Sequence, residues 1–165
     1  VLIIDGVATE HDGLAGFTIT FSPDSQRVAY GARKGSRWFL VVDGKPDPIT
    51  FDKPIGANMV LFSPDSKRLA YAAGNGERFQ VVVDGVRHKE YDHMEPFLVF
   101  SSDSRHVAYK VGQGKLEMMV VDGIEDAPHD VVFVRQQAFT SNDAICYLAF
   151  RSSDQVVRRV VTKVP

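Results

Sequence analysis

Short apolar or alternating runs, broken about every 10–12 residues by Gly, Pro, Asp or Ser, fill most of the chain. In the clearest stretch, residues 57–96, we predict four strands, at 57–62, 67–73, 78–83 and 86–91. The turns between them read Ser-Pro-Asp-Ser, Gly-Asn-Gly-Glu and Asp-Gly, which are residues that adopt positive φ or hydrogen-bond the local backbone. No window sustains the apolar spacing near 3.6 that is typical of an amphipathic helix. The pattern therefore predicts an all-β fold.

The same order of strands and turns returns with a period of about 40 residues. Val/Ile-Asp-Gly occurs at 4–6, 42–44, 83–85 and 121–123. Phe-Ser-Pro-Asp-Ser or Phe-Ser-Ser-Asp-Ser occurs at 21–25, 62–66 and 100–104, with a worn copy at 139–143. Four antiparallel strands in one such period make a propeller blade. We predict a single β-propeller domain over 1–165, with repeats at about 16–56, 57–96, 97–131 and 132–165, and with 1–15 supplying strands of a terminal blade.

The second repeat carries a resemblance to a known family. Its Phe-Ser-Pro-Asp-Ser at 62–66, followed by Lys-Arg-Leu-Ala-Tyr at 67–71 and by Val-Asp-Gly at 83–85, resembles the WD40-like (PD40) β-propeller repeats of bacterial proteins. Such repeats are found in the translocation protein TolB and in propeller domains of prolyl-oligopeptidase-like proteins. The chain has no Trp-Asp dipeptide and no Gly-His pair, so the polar network of true Trp-Asp repeats is not carried over. The resemblance implies the fold, a bacterial source and an extracytoplasmic or periplasmic location, but it does not imply one function.

The predicted strands do not decide how the propeller ring closes. The sequence reads as two strands, three complete blades and three further strands. The chain is then a piece of a larger propeller, a small four-bladed ring closed on itself, or one half of a composite ring formed by a homodimer. We favour the first and the third, because rings of this repeat family usually have more than four blades. An open set of blades exposes unpaired strand edges and an apolar flank that something must cover.

Charge and motifs exclude several classes of function. The net charge is −2 and no Lys/Arg block stands out, so we expect no nucleic-acid partner. The apolar runs are too short to span a bilayer, so we expect no membrane insertion. The chain has no G-x-S-x-G, Walker A loop or G-x-G-x-x-G, and its one cysteine, Cys146, has no partner for a disulfide. We therefore predict a non-catalytic protein without a cofactor.

One candidate metal site obeys the repeat. An aspartate follows an aromatic or imidazole ring at the end of each predicted fourth strand, at Asp12, Asp52, Asp92 and Asp130. In a propeller these loops share one face, so the four carboxylates could attract a cation or a basic partner. His11 and His129, which precede two of them, could join such a site. The alternative, which we favour, is that each aspartate caps its own loop by accepting backbone N–H bonds.

A second candidate site breaks the repeat. The loop that contains Arg33, Lys34 and Arg37, with Trp38 beside it, has no copy in the other repeats. Because Arg and Trp are common interface anchors, we predict a protein-interaction site there, the alternative being a solvated hairpin tip. The leading function is accordingly a protein-interaction or scaffold module. The alternatives are the propeller domain or fragment of a prolyl-oligopeptidase-like hydrolase or TolB-like protein, and a cation- or small-ligand-binding propeller.

Overall fold

The structure, a computed structural model, describes residues 2–4, 6–135, 137–141 and 143–164. Predictions that fall on Val1, Asp5 and Asn142 lie outside the described residues. The described residues form 18 strands and no helix, which confirms the all-β prediction. No helix in this part of the chain is long and apolar enough to cross a membrane.

The strands form one short ribbon and four larger antiparallel sheets. The N-terminal ribbon consists of β1 (Leu2–Ile4) and β2 (Val7–Thr9). Sheet 1 consists of β3 (Gly13–Phe21), β4 (Val28–Lys34), β5 (Arg37–Val42) and β6 (Lys45–Phe51). Sheet 2 consists of β7 (Ile55–Phe62), β8 (Leu69–Asn75), β9 (Arg78–Val83) and β10 (Val86–Tyr91). Sheet 3 consists of β11 (His93–Phe100), β12 (Val107–Gln113), β13 (Leu116–Val121) and β14 (Ile124–Glu125). Sheet 4 consists of β15 (Val131–Phe133), β16 (Phe139–Ser141), β17 (Ala144–Arg151) and β18 (Val156–Lys163).

The predicted hairpins are confirmed by the backbone. In each described Asp-Gly turn both residues have positive φ, for example +51° at Asp84 and +78° at Gly85, as a tight hairpin between twisted strands requires. The tip of the preceding hairpin holds a glycine at +59° to +61° in sheets 1, 2 and 3. The last serine of the Ser-Pro-Asp-Ser turn is also left-handed, with φ of +65° at Ser66.

The last sheet differs from the prediction. By analogy with the other repeats, the repeat at 132–165 predicts one inner strand that ends at the worn turn copy at 139–143, whereas two short strands, β15 and β16, both pair with β17. The described residues between Phe133 and Phe139 belong to no strand, although the Ala138 carbonyl oxygen still accepts the N–H of Cys146, so the inner edge of sheet 4 is interrupted. The inner strands of sheets 2 and 3 also begin earlier than the predicted repeats, at Ile55 and His93, because the strand starts soon after the loop aspartate.

The core lies between successive sheets. Apolar clusters join sheet 1 to sheet 2, sheet 2 to sheet 3, and sheet 3 to sheet 4. The N-terminal ribbon covers part of sheet 1, because Leu2 and Ile4 pack against Tyr30 and Val41. Among the described residues, β1 pairs with β2 and β18 with β17, so the first and last strands do not pair with each other.

Candidate functional site

The four loop aspartates all perform the same local task. Each accepts a backbone N–H bond from a hairpin tip in the next sheet along the chain. That hairpin joins the second and third strands in sheets 1, 2 and 3, and β17 and β18 in sheet 4. The pairs are Asp12–Gly35 at 2.6 Å, Asp52–Gly76 at 2.7 Å, Asp92–Gly114 at 2.6 Å and Asp130–Ser152 at 2.8 Å. The aspartate therefore fixes a hairpin about 22 residues further on, rather than only its own loop.

The structure does not bring these four carboxylates together as one cluster. Among the described residues, the one group of three potential metal ligands within 4.8 Å of one another contains none of them. At Asp92 the second oxygen is also occupied, because Arg78 Nη1 lies 2.7 Å from Oδ1. At Asp92, N–H donors thus occupy both oxygen atoms that a cation would need.

The group of three ligands is His93, Glu95 and Glu117, beside a cleft of about 840 Å³ between sheets 3 and 4. Lys110 Nζ lies 2.9 Å from Glu117 Oε2, and the N–H of Val132 donates to the same oxygen at 2.7 Å. Burial acts to raise the pKa of Glu117, but these two donors hold it below its ordinary value. A lysine ammonium already neutralises the carboxylate, so the group is built as an ion pair. No repeated sequence position indicates this group.

The predicted interaction residues are only partly brought together. Arg33 stacks over Trp38, with its guanidinium carbon 5.7 Å from the ring centre, and donates to the carbonyl oxygen of Asp12 at 3.0 Å. Arg37 turns toward the fourth strand and donates to the side chain and carbonyl of Thr50. Lys34 lies exposed at the hairpin tip. The tip therefore presents one stacked Arg–Trp pair and one free lysine side chain in solvent.

A tyrosine in the second strand of sheets 1, 2 and 3, and in β17 of sheet 4, forms a contact between sheets that sequence reasoning missed. Its hydroxyl bonds the residue that stands three positions after the glycine of the preceding Asp-Gly turn. The pairs are Thr9–Tyr30 at 3.3 Å, Asp47–Tyr71 at 3.1 Å, His88–Tyr109 at 2.9 Å and Asp126–Tyr147 at 2.7 Å. The invariant spacing from the turn glycine was visible in the sequence, but the changing residue type hid it.

The ring that precedes each loop aspartate packs on the same tyrosines. His11 meets Tyr30 edge-on with ring centres 5.7 Å apart, and Phe51 meets Tyr71 in the same way at 6.1 Å. His129 lies 6.2 Å from Tyr147. The predicted metal role of His11 and His129 is therefore replaced by packing, since each ring occupies a place that a phenylalanine fills elsewhere.

A third repeated contact joins the Ser-Pro-Asp-Ser turns. Ser63 Oγ donates to Asp65 Oδ1 at 2.6 Å within its own turn, while the N–H of Asp65 donates to Ser104 Oγ of the next repeat at 2.9 Å. Arg68, just after the turn, pairs with Asp84 at 2.8 Å in its own sheet. Its Nη1 donates to the carbonyl oxygens of Ser104 and Arg105, and its guanidinium lies over the Phe100 ring.

We call this arrangement of serine, turn amide and arginine the turn latch. The first repeat forms the same latch on the second, through Asp24, Arg27 and their partners Ser66 and Phe62. In the third repeat His106 takes the place of the arginine and lies 2.6 Å from Asp122. Two successive joints of the array are thus held by the same set of atoms.

A comparison with protein-family models finds no matching family. A comparison with curated proteins finds no similar protein. The function is therefore argued from the residues themselves. The histidine side-chain bonds that the structure describes join His11 and His88 to tyrosine hydroxyls and His106 to a carboxylate, and none of these pairs contains a serine, threonine or cysteine nucleophile.

Proposed function

We propose that the chain forms consecutive blades of a WD40-like β-propeller and serves as a non-catalytic protein-interaction module. The observation that carries the proposal is the repetition of the contacts between sheets. The tyrosine bond recurs at all four joints, counting the joint between the N-terminal ribbon and sheet 1. Sheets that meet their neighbours through equivalent atoms are related by a constant rotation, which is the geometry of a propeller or a solenoid.

The strand arrangement supports a propeller over other repeat architectures. In sheets 1, 2 and 3 the strands lie side by side in chain order, as in the meander of a propeller blade. The first strands of neighbouring sheets lie next to each other, β3 beside β7 and β7 beside β11. In the proposed propeller, the first strands of sheets 1, 2 and 3 would lie nearest the common axis, and the later strands of these sheets further out.

The β4–β5 hairpin tip, whose residues are not repeated in the other sheets, favours an interaction role. Features shared by all repeats serve the joints between sheets, as the loop aspartates and the second-strand tyrosines do. The Arg33–Trp38 stack near the tip of the β4–β5 hairpin stands next to the exposed Lys34, and Arg33 also donates to the Asp12 carbonyl oxygen. A stacked cation and indole on a rigid hairpin present a contact surface that loses little conformational entropy on binding.

Photo-crosslinking at this tip tests the proposal. A benzoylphenylalanine at Ser36, between Lys34 and Arg37, should cross-link one discrete protein in cells that naturally produce this chain. The matched control carries the same group at Glu77, the equivalent tip position in sheet 2, and should give no such product. Loss of the Ser36 product in a Lys34→Ala/Trp38→Ala variant would support the assignment. Equal products at both tips, or none at Ser36, would contradict it.

A larger propeller, such as the propeller domain of a multidomain protein, is a second candidate. It is favoured by the exposed apolar side chains at both ends of the array, which include Phe21 near the first end and Phe133 and Leu148 near the last. A composite ring of two copies is less well supported. Sheet 4 already has β18 paired along the whole of β17, so a four-stranded blade has room for one more strand, whereas the N-terminal ribbon would bring two.

A further inference from the structure

The first repeat exposes the very residues that the next two repeats bury. Phe62 and Phe100 are 4% and 6% exposed, but their equivalent Phe21 is 63% exposed. Ser66 and Ser104, which end the same turns, are 4% and 3% exposed. Their equivalent Ser25 is exposed. The sequence is the same at these positions in the first two repeats, so the difference lies in what covers them.

In the second and third repeats, the turn latch of the preceding repeat covers this phenylalanine and serine. Over Phe62 the guanidinium of Arg27 lies 5.0 Å from the ring centre, and its Nη1 donates to the carbonyl oxygens of Ser66 and Lys67. The backbone N–H of Asp24 donates to Ser66 Oγ at 3.1 Å. A Phe-Ser-Pro-Asp-Ser turn is therefore covered by a hairpin of the preceding repeat, which contributes an arginine and a turn amide.

The N-terminal ribbon supplies only the outer half of such a neighbour. Its Thr9 meets Tyr30 as Asp47 meets Tyr71, so β1 and β2 stand where the third and fourth strands of a preceding sheet would stand. Between the ribbon and sheet 1 lies a groove of about 310 Å³, lined by Ile4 and Thr9 on one side and by Phe21 and Ser25 on the other. The first and second strands of such a preceding sheet would lie beside Phe21.

We propose that the surface formed by Phe21, Ser25 and the free edge of β1 is the seat of the inner β-hairpin of a further repeat of the same type. That hairpin has a Ser-X-Asp turn with an arginine five residues after the serine. The arginine lies over the Phe21 ring, and the turn amide donates to Ser25 Oγ. β1 corresponds to the third strand of a sheet, and in sheets 1, 2 and 3 a tip of only two residues joins the second strand to the third. We therefore place the proposed hairpin in the same polypeptide as β1.

A second copy of this chain does not offer the required side chain. The position five residues after the first turn residue holds Arg27, Arg68 and His106 in the first three repeats. The first two of these turns are bonded to the next repeat, and His106 bonds Asp122 in its own sheet. In the fourth repeat, at the outer end of the array, that position is Ile145. Isoleucine can neither stack as a cation on Phe21 nor donate to a carbonyl oxygen. Charge and hydrogen bonding therefore favour a further Arg-bearing repeat.

An N-terminal extension that carries a copy of the inner hairpin of sheet 2 tests the proposal. Residues 54–79, copied directly ahead of Val1, place the copy of Arg68 and its turn in register with β1, because Val1 then follows the copied segment as Gln80 follows Phe79. We expect the extension to slow amide hydrogen exchange in residues 21–28 about tenfold. The matched control replaces the copied arginine and the copied turn aspartate by alanine and should give much less protection. Equal protection by both extensions, or none by either, would overturn the proposal.

A pair of variants in the unextended chain tests the same surface without any added segment. Phe62→Ser should lower the melting temperature by about 10 °C, because it empties a buried, cation-capped site. Phe21→Ser should leave the melting temperature nearly unchanged, because the seat is open. A similar loss for both variants would mean that Phe21 is already covered, and the proposal would fail. Neither result depends on whether the hairpin tip at Arg33 and Trp38 binds a partner.

Discussion

The backbone N–H of Asp24 donates to the hydroxyl oxygen of Ser66, 42 residues later in the chain, at 3.1 Å. The same bond joins Asp65 to Ser104 at 2.9 Å, across 39 residues. A serine that the sequence presents as a local turn residue is therefore also the acceptor for the turn of the preceding repeat. Each repeat completes its turn only when the next one is in place, so the folding of neighbouring repeats is coupled, as in other linear repeat arrays.

Arg68 should contribute more to stability than its partial exposure suggests. It pairs with Asp84, donates to the carbonyl oxygens of Ser104 and Arg105, and covers Phe100. We expect Arg68→Ala to lower the free energy of unfolding by about 2 kcal/mol in urea denaturation. Arg68→Lys should recover little of this, because an ammonium cannot both bridge the carbonyls and lie flat on the ring.

The control for Arg68 is Arg105, which is more exposed and pairs with the aspartate of its own turn. Arg105→Ala should change the unfolding free energy little, because Arg105 is largely exposed and its one ion pair across a joint, with the exposed Asp143 of sheet 4, is long at 3.8 Å. If the two alanine variants unfolded at the same urea concentration, the arginine would not act as a latch between repeats.

The contribution of each tyrosine hydroxyl to the free energy of unfolding should be larger where its hydrogen bond is shorter. Tyr147 donates to Asp126 at 2.7 Å, and the Tyr109 hydroxyl bonds His88 at 2.9 Å, whereas the Tyr30 hydroxyl lies 3.3 Å from both Thr9 and His11. We expect Tyr147→Phe and Tyr109→Phe each to cost about 1–2 kcal/mol, and Tyr30→Phe less than about 0.5 kcal/mol. The largest loss at Tyr30 in chemical denaturation would reverse the predicted order.

His93 and Gly112 form a pair in which one residue must lack a side chain. They are cross-strand neighbours in β11 and β12, and a Cβ atom at position 112 would overlap the His93 ring. Gly13 and Arg33 form the equivalent pair in sheet 1 with the two roles exchanged. We expect Gly112→Ala to lower the unfolding free energy by about 1–3 kcal/mol.

The double variant His93→Ala/Gly112→Ala should recover most of that loss, because the ring that causes the overlap is gone. Gly74→Ala is the matched comparison in sheet 2. There the new methyl group meets the flexible chain of Lys53, which can move away, so the loss should be smaller. Additive losses in the double variant would argue against a direct clash between the two residues.

Acidification should destabilise the fold through His88 and His129. Burial lowers the pKa of both imidazoles, and Arg68 and Arg151 respectively add to the effect. A histidine whose pKa is lowered by folding stabilises the fold fully above its unfolded pKa of about 6.5, and this contribution is lost as the pH falls below that value. The unfolding free energy should therefore fall between about pH 7 and pH 5.

The variant His129→Phe, which copies Phe51 at the equivalent position, should weaken this pH dependence when combined with His88→Gln. A separate loss is expected below about pH 3.9, because the Ser101 hydroxyl and Arg105 hold the pKa of Asp103 at about 2. Melting curves across the pH range resolve the two steps. A stability that rose on acidification to pH 5 would contradict the histidine assignment.

Much of the local structure was predictable because it rests on short-range chemistry. Asp84 and Gly85 both require positive φ, and a Ser-Pro-Asp-Ser sequence closes on itself through Ser63 and Asp65, so the strands and hairpins of a repeat follow from the residues at its turns. The loop aspartates were favoured as caps of their own loops, whereas the N–H donors that they bind come from a hairpin some 22 residues away, a tertiary contact that turn chemistry alone does not predict.

The contacts between sheets were not predictable from one repeat alone. Asp47 and His88 do the same task at equivalent positions, yet they share no residue type, and only the position of the tyrosine partner reveals the role. The Glu117–Lys110 pair follows no repeat at all. The interrupted inner edge of sheet 4 was hidden because Val131–Phe133 and Phe139–Ser141 each look strand-like, whereas their shared pairing with β17 depends on tertiary structure.

The most direct test of the joined repeats is one substitution made at three equivalent serines. Ser66→Ala and Ser104→Ala each remove the acceptor for the turn amide of the preceding repeat and should each lower the unfolding free energy by about 1 kcal/mol. Ser25→Ala makes the same chemical change where no preceding turn is docked and should cost almost nothing. Equal losses at all three serines in urea denaturation would mean that the hydroxyl serves only its own turn, and the account of repeats latched in series would be wrong.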